Sequence, residues 1–99
     1  MAYLVECRTS SVAGTVDAER VAARVLGSLL RSEVVLEPGI ALDPRTRRLT
    51  MTARIERART SQLAAVAAAN ELLWRANDCG PHGSAHVTIT NLASRPADS

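Results

Sequence analysis

The sequence predicts a two-layer α+β domain, in which two helices cover one face of a single antiparallel sheet. Four segments alternate apolar and polar residues with the two-residue period of a half-buried strand, and two longer segments repeat apolar residues at helical spacing. These segments follow the order β-α-β-β-α-β. A chain of 99 residues supports one hydrophobic core, so a single domain is expected.

The first strand and the first helix are predicted at the N-terminus. Residues 3–8 alternate as a strand, and residues 9–16 form a loop rich in Ser, Thr and Gly. Thr15 or Asp17 can cap the helix that follows, and the helical spacing continues to about Ser32. The apolar positions of this helix are Val21, Ala22, Val25, Leu26, Leu29 and Leu30.

The middle of the chain predicts a hairpin. The second strand begins at residues 34–36 and is interrupted by Pro38-Gly39, a pair that is typical of an edge strand or a bulge. Residues 43–47 form a turn, because Pro44 presets the backbone and Asp43 can bond to the amides that follow. The third strand has the clearest alternation, and its apolar side consists of Leu49, Met51, Ala53 and Ile55.

The last third of the chain predicts a second helix and a fourth strand. Thr60 caps the helix, which ends within residues 77–83, and Val87 and Ile89 mark the inner side of the strand. Residues 93–99 are expected to be a flexible C-terminal tail, which leaves residues 1–92 as the domain. The buried stripe of the helix is predicted to be Leu63, Val66, Ala67, Leu73 and Trp74.

With right-handed crossovers, this element order predicts a four-stranded antiparallel sheet with strand order 4-1-3-2 and both helices on one face. This is the ferredoxin-like arrangement. The residues expected in its core are Val5, Leu26, Leu29, Met51, Ile55, Val66, Leu73, Val87 and Ile89.

Composition gives weak information about function. The net charge of +2 is too small to indicate a dedicated nucleic-acid binder, so a nucleic-acid partner is not favoured. The N-terminal residues do not resemble a signal peptide, and no apolar run is long enough to cross a bilayer, so we expect a cytoplasmic protein without membrane contact. Cys7 and Cys79 are then expected to be free thiols.

Three families that share this fold have sequence motifs that are absent from this chain. Length and element order resemble those of acylphosphatases, but the loop at residues 9–15 lacks their Gly-x-Val-Gln-Gly-Val-x-Phe-Arg run, and the third strand has no Asn. RNA-recognition domains stack bases on strand aromatics, which are absent from the outward positions here. Copper-transfer domains carry Cys-x-x-Cys after the first strand, where this chain has only Cys7. None of these activities is therefore predicted.

The outward face of the sheet is the first candidate site. Its side chains can be explained as a solvated face of ion pairs and threonines, as a subunit interface, or as a small-molecule site. We interpret it as the interface of a homodimer, because short Thr side chains suit close approach of two sheets. The candidate interface residues are Glu6, Arg8, Thr50, Thr52, Arg54, His86 and Thr88.

The second candidate site is the end of the sandwich where the first strand finishes. Chain direction brings the first strand–helix loop, the hairpin turn and the second helix–strand loop together there. Hydroxyl groups at a helix N-terminus and nearby arginines could bind an anion, although all are ordinary loop residues. The candidate anion-binding residues are Ser10, Ser11, Thr15, Arg45, Arg47 and Arg48.

A metal site is a weaker alternative. Cys79, His82 and His86 lie within eight residues, and Cys7 could approach them, but known zinc motifs usually bring two close pairs from separate elements. We therefore expect no metal and no other cofactor. A Cys-His pair for nucleophilic catalysis has equally little support, because closeness in sequence does not establish geometry.

The second helix offers an alternative partner surface, in which its alanines allow close packing beside Leu72 and Trp74. No acid–base pair, nucleophile arrangement or phosphate loop is visible, so an enzyme is not favoured. The function predicted is a small non-catalytic binding or regulatory module that acts as a homodimer and could also bind another protein. The alternative is a small enzyme or ligand-binding domain that recognises an anionic small molecule at the Arg-rich loop end.

Overall fold

A computed structural model describes residues 1–14, 17–77 and 85–97 of the chain. The strands form one antiparallel sheet with the order β2-β3-β1-β4, and the two helices pack on one of its faces. This confirms the predicted two-layer, ferredoxin-like α+β sandwich. The elements are β1 (Tyr3–Ser11), α1 (Ala18–Leu29), β2 (Leu36–Leu42), β3 (Arg48–Ile55), α2 (Ser61–Asn77) and β4 (Ile89–Pro96).

Alternation along β1 and β3 separates the two faces of the sheet as predicted. Val5, Cys7 and Thr9 of β1 are buried, whereas Glu6 and Arg8 between them are exposed. On β3 the same alternation buries four apolar side chains against the helices, because successive side chains of a strand point to opposite faces. These four residues are Leu49, Met51, Ala53 and Ile55.

The fourth strand begins and ends later than predicted. β4 runs to Pro96, and it pairs with β1 from Tyr3↔Pro96 to Thr9↔Ile89. Residues 93–96 are therefore part of the sheet, which corrects the expectation of a tail beginning at residue 93. Most side chains of β4 are exposed, because it is an edge strand, and this explains why its sequence resembles a polar tail.

The second strand contains the predicted irregularity. The register of β2 against β3 shifts between Leu36 and Gly39, and Glu37 in this bulge has a φ of 50°. A Cβ atom at Gly39 would lie 3.0 Å from the Thr52 side-chain oxygen, so glycine allows β2 to approach β3 closely. Pro38-Gly39 therefore marks a bulged edge strand, as the sequence indicates.

Helix α1 begins as predicted. The carboxylate of Asp17 accepts hydrogen bonds from the amides of Glu19 and Arg20, at 3.1 and 3.3 Å, and so caps the helix. Thr15, the alternative cap, lies outside the described residues. The buried side of the helix consists of Ala18, Val21, Val25 and Leu29.

Helix α2 faces the sheet with the side that was not predicted. Leu63, Val66 and Trp74 are 53%, 50% and 59% exposed, so the predicted buried stripe is wrong at these residues. Small side chains face the sheet instead, because they allow the helix backbone to approach strands whose own large residues fill the core. The buried residues of α2 are Ala64, Ala65, Ala68, Ala69, Leu72 and Ala76.

The core of the described residues contains five of the nine predicted core residues. Val66 is exposed. Leu26, Leu73 and Ile89 are half-buried, and Ile89 packs against the core. The remaining predicted residues are buried together, namely Val5, Leu29, Met51, Ile55 and Val87.

Candidate functional site

The outer sheet face is the surface of the sheet that the two helices do not cover. Cross-strand pairs place Glu6 of β1 beside Thr52 of β3, and Arg8 beside Thr50. Arg54 lies opposite Leu4 at the far end of the same face. The structure thus brings together five of the seven candidate interface residues, namely Glu6, Arg8, Thr50, Thr52 and Arg54.

The other two candidate interface residues lie elsewhere. His86 and Thr88 precede β4, and His86 has a φ of 51° that departs from strand geometry. The Thr88 amide donates to Ser10 Oγ at 3.0 Å, and the Ser10 amide donates to the Thr88 carbonyl at 2.9 Å. Thr88 and the preceding His86 therefore lie beside the end of β1. They are not part of β4, because this strand begins at Ile89, three residues after His86.

Charges of both signs lie on the outer sheet face. Arg8 Nε lies 3.4 Å from a Glu6 carboxylate oxygen, and Arg54 Nε lies 3.3 Å from a Glu56 carboxylate oxygen. The Arg54 Nε atom is buried and forms no hydrogen bond within the described chain, so its contact with Glu56 is an ion pair only. With Glu37 and Arg95, which line a shallow hollow on this face, and Arg48 at the start of β3, the charged groups are Glu6, Glu37 and Glu56 against Arg8, Arg48, Arg54 and Arg95.

Small and apolar residues form the floor between these charges. The hollow has a volume of about 330 Å³, and its floor includes Leu4, Thr52 and Ala93 from three adjacent strands. A second hollow of about 280 Å³ continues past Arg8 and Asn91. The face therefore has two shallow hollows, with charges of both signs around a small-residue centre.

The β1–α1 loop and the hairpin turn lie together at one end of the sandwich, as predicted. Their candidate anion-binding groups bond mainly to the protein itself. The Val12 amide donates to the Arg47 carbonyl at 2.8 Å, which joins the β1–α1 loop to the hairpin turn. The Arg47 guanidinium donates to the carbonyls of Val12 and Ala13, at 3.4 and 2.8 Å. Ser11 Oγ donates to the Thr46 carbonyl at 2.6 Å. Two of the candidate anion-binding groups therefore stabilise the loops.

A carboxylate at the same end also disfavours an anion. Asp43 accepts hydrogen bonds from the amides of Arg45 and Thr46, and these bonds lower the pKa of its carboxyl below the usual value. Arg45 and Arg48 are exposed on the hairpin, and Ser10 bonds to Thr88. Thr15 lies outside the described residues. The described part of this end therefore has no preformed anion cradle.

Cys7 is buried beneath the helices, and its thiol is free. Burial, with a smaller contribution from the charge of Glu6, raises the pKa of the Cys7 thiol to about 11. The thiol is thus protonated at neutral pH and is a poor nucleophile. Cys79 and His82 lie outside the described residues, and the residues that are described contain no group of three His, Cys, Asp or Glu side chains able to hold a metal ion.

Sequence reasoning missed a cavity at the opposite end of the sandwich. This end cavity has a volume of about 710 Å³ and lies between the α1–β2 connection, the β3–α2 connection and the first turns of α2. The available signal was the segment Glu56-Arg57-Ala58-Arg59 directly before the cap of α2. The cavity is lined by Glu33, Val34, Leu36, Ile55, Glu56, Arg57, Ala58, Arg59, Leu63 and Ala67.

Comparison with known proteins adds no relative: no protein-family model, no curated protein and no solved structure matches this chain. Within the described ranges, neither helix combines the length and the apolar character needed to cross a membrane.

Proposed function

We propose that the chain is a non-catalytic binding module that acts as a homodimer, and that two copies pair through the outer sheet face. The observation that carries this proposal is the mixed charge of that face. Three carboxylates and four guanidinium groups lie on it, so a second copy rotated about a two-fold axis can oppose each sign with the other. A polyanion such as nucleic acid gains little from a face with so small a net charge.

The area of the face agrees with a small dimer interface. Four strands spaced by about 4.8 Å, with about eight residues each at a rise of about 3.3 Å, cover about 500 Å² per copy. Two copies would bury about 1,000 Å², which is near the lower limit for specific interfaces. The outer side of α2, about 25 Å long and about 10 Å wide, would bury about half of that, so the sheet face is the better-supported surface.

The non-catalytic part of the proposal is supported by the chemistry of the described groups. Cys7 is buried and protonated, and Ser11 and Arg47 form bonds within the loops. Catalysis usually needs a nucleophile or an acid–base pair that converges on an accessible pocket. The described groups at the loop end do not converge in this way.

Light scattering after size-exclusion chromatography tests the association. We expect a molar mass of about twice the chain mass of 10.6 kDa at micromolar concentration, with a decrease on dilution. A mass of one chain that does not change with concentration would end the dimer proposal.

Two surface variants test which face is used. Arg54→Glu places a carboxylate beside Glu56 and opposes like charges across the interface, so we expect association to weaken about tenfold or more. Ala93→Arg, at an exposed position in the hollow, should weaken association by steric overlap. Arg20→Glu on the exposed side of α1 is the matched control and should leave the mass unchanged.

The alternative surface has its own variant. The partner surface that the sequence predicts on α2 includes Ala65, Ala68 and Leu72. These residues are buried against the sheet and are not accessible. Val66→Asp therefore takes their place as the α2 variant. If Val66→Asp gives a monomer while Arg54→Glu and Ala93→Arg do not, pairing through the sheet face is wrong.

A further inference from the structure

The end cavity combines apolar walls with basic groups at one side. Val34 and Leu63 both line it and leave 44% and 53% of their surface exposed, which is unusual for side chains so close to the core. Leu36 and Ala67 extend the same walls. The volume of about 710 Å³ falls within the range of small-molecule sites.

Arg57 and Arg59 supply the basic side. Both are exposed on the β3–α2 connection, and neither forms a hydrogen bond or ion pair with the rest of the described chain. Arg57 has a φ of 64°, a conformation that non-glycine residues adopt at an energetic cost. Such strained residues cluster at binding sites, where the surrounding structure holds them in place.

Neither acidic residue of the lining forms an ion pair with these arginines within the described chain. Glu56 is paired with Arg54 at 3.3 Å. Glu33 lies on the α1–β2 connection, whereas both arginines lie on the β3–α2 connection. At the N-terminus of α2, the Leu63 amide already donates to Thr60 Oγ1 at 3.1 Å. The basic groups of this side are therefore the two guanidinium groups.

From this arrangement we propose that the end cavity binds a small amphipathic carboxylate, with its apolar body between Val34 and Leu63 and its carboxylate at Arg57 and Arg59. Guanidinium groups match a carboxylate in charge and in the planar geometry of their hydrogen-bond donors. Apolar walls exclude strongly polar anions such as inorganic phosphate as good occupants. This site differs from the proposed dimer interface, although the two share Glu56, which lines the cavity and is paired with Arg54 of the outer sheet face.

Titration with octanoate, below its micelle concentration and at neutral pH, tests the proposal. We expect saturable binding of one molecule per chain with a Kd of about 1 mM or tighter, and amide shifts confined to residues 33–36, 55–59 and 63–67. Octylammonium and octanol are the matched probes, which share the chain length and lack the carboxylate. They should bind about tenfold more weakly or not at all.

Variants separate the two parts of the site. Arg57→Gln with Arg59→Gln should weaken octanoate binding about tenfold, whereas Arg45→Gln with Arg48→Gln, which removes two exposed hairpin arginines, should leave it unchanged. Leu63→Asn should weaken binding of every probe. All these positions are exposed, so folding is expected to persist and can be verified by circular dichroism.

The proposal has clear contrary outcomes. Equal binding of octanoate and octylammonium, equal loss in the two arginine pairs, or no saturable binding at the solubility limit would each overturn it. If Leu63→Asn instead converts a dimer to a monomer in the absence of any probe, the cavity is a contact between copies and the carboxylate site is wrong.

Discussion

Helices α1 and α2 lie on the same face of the sheet, but they present opposite sizes of apolar side chain to it. α1 buries Val21, Val25 and Leu29 and exposes charged residues such as Glu19 and Arg20, which is the usual amphipathic pattern. α2 buries mainly alanines and exposes larger apolar side chains on its outer side. The two helices therefore meet the same core by different means, one by filling space and the other by approaching closely.

Hydrophobic spacing therefore identifies a helix without determining which side of it faces the core. In α1 only one side is apolar, so periodicity determines the orientation. In α2 both sides are apolar, and residue size decides. Alanine costs no side-chain entropy on burial, and it allows backbone approach to a sheet whose own Leu49 and Met51 already occupy the interior. The larger residues Leu63, Val66 and Trp74 are left on the outer side, and Leu63 lines the end cavity.

A set of hydrogen bonds from Arg75 joins the two helices at this close approach. The Arg75 guanidinium of α2 donates to the carbonyl and hydroxyl of Ser28 in α1, at 2.6 and 2.9 Å, and to the Glu71 carboxylate at 2.5 Å. The last turn of α1 has no basic residue of its own. Arg75 therefore supplies the positive charge that favours the C-terminal end of a helix. It also lies 5.1 Å from the centre of the Trp74 ring.

The largest effect that tests the comparison is expected from truncating the buried leucine of α2. Leu72 is fully buried, so Leu72→Ala should lower the free energy of unfolding by about 2–5 kcal/mol, as should Leu29→Ala in α1. Leu63→Ala, on the exposed side of α2, should cost less than about 1 kcal/mol. Urea denaturation of the three variants measures this. A Leu63→Ala loss equal to that of Leu72→Ala would mean that α2 faces the sheet with its other side.

Enlarging an inner alanine should give the next largest effect. Ala68 is fully buried, and Ala68→Leu should cost about 1–3 kcal/mol, because the helix must move away from the sheet. Ala23→Leu, the same change on the exposed side of α1, should alter stability by no more than about 0.5 kcal/mol. Thermal and urea denaturation at one fixed protein concentration compare the two. A stable Ala68→Leu protein would contradict close packing of α2.

Removing the Arg75 hydrogen bonds between the helices should have a smaller effect on the free energy of unfolding. The side chains of Arg75 and Glu71 are 15% and 18% exposed, so their charges are only partly screened by water. Arg75→Gln should lower the free energy of unfolding by about 1.5 kcal/mol, because the Ser28 carbonyl and the carboxylate lose a charged donor. Arg20→Gln is the control on the exposed side of α1. Equal stability of Arg75→Gln and the control would show that the Arg75 hydrogen bonds contribute nothing measurable to the free energy of unfolding.

The sequence predicted the fold because several independent patterns agreed on it. Alternation along residues 3–8 and 49–55 defined both faces of the sheet, and Pro38-Gly39 located the edge strand. The end of β4 could not be predicted, because an edge strand with most of its side chains exposed has the composition of a tail. The orientation of α2 could not be predicted either, since it depends on how the core is filled by other elements.

Candidate sites were harder to predict than the fold, and the physical reasons differ. Strand alternation correctly grouped Glu6, Arg8 and Arg54 on one face, because a strand has a fixed period. Spacing gave no information on whether Arg47 faces solvent or bonds to a neighbouring loop, which depends on tertiary contacts. The end cavity is formed by two connections and the first turns of α2, and the segment Glu56-Arg57-Ala58-Arg59 does not by itself indicate that these parts meet around a cavity.

The smallest expected effect concerns a glycine on the exposed side of α1. Gly27 lies inside the helix, and a Cβ atom built there meets nothing within 4 Å. Gly27→Ala should therefore raise the free energy of unfolding by about 0.5–1 kcal/mol, because alanine loses less backbone freedom on folding. Gly39→Ala is the opposite control and should destabilise the protein, since its Cβ would press on Thr52.

Thermal denaturation of the two glycine variants at equal concentration makes the comparison. The outer side of α1 carries charged residues that water can solvate, whereas the outer side of α2 exposes large apolar residues. If Gly27→Ala is neutral or destabilising, an added methyl group on α1 meets a contact that a single chain does not contain. The outer side of α1 would then belong to an interface as well. In that case both helices would have a surface for a partner, and α1 would no longer be the solvated helix of the two.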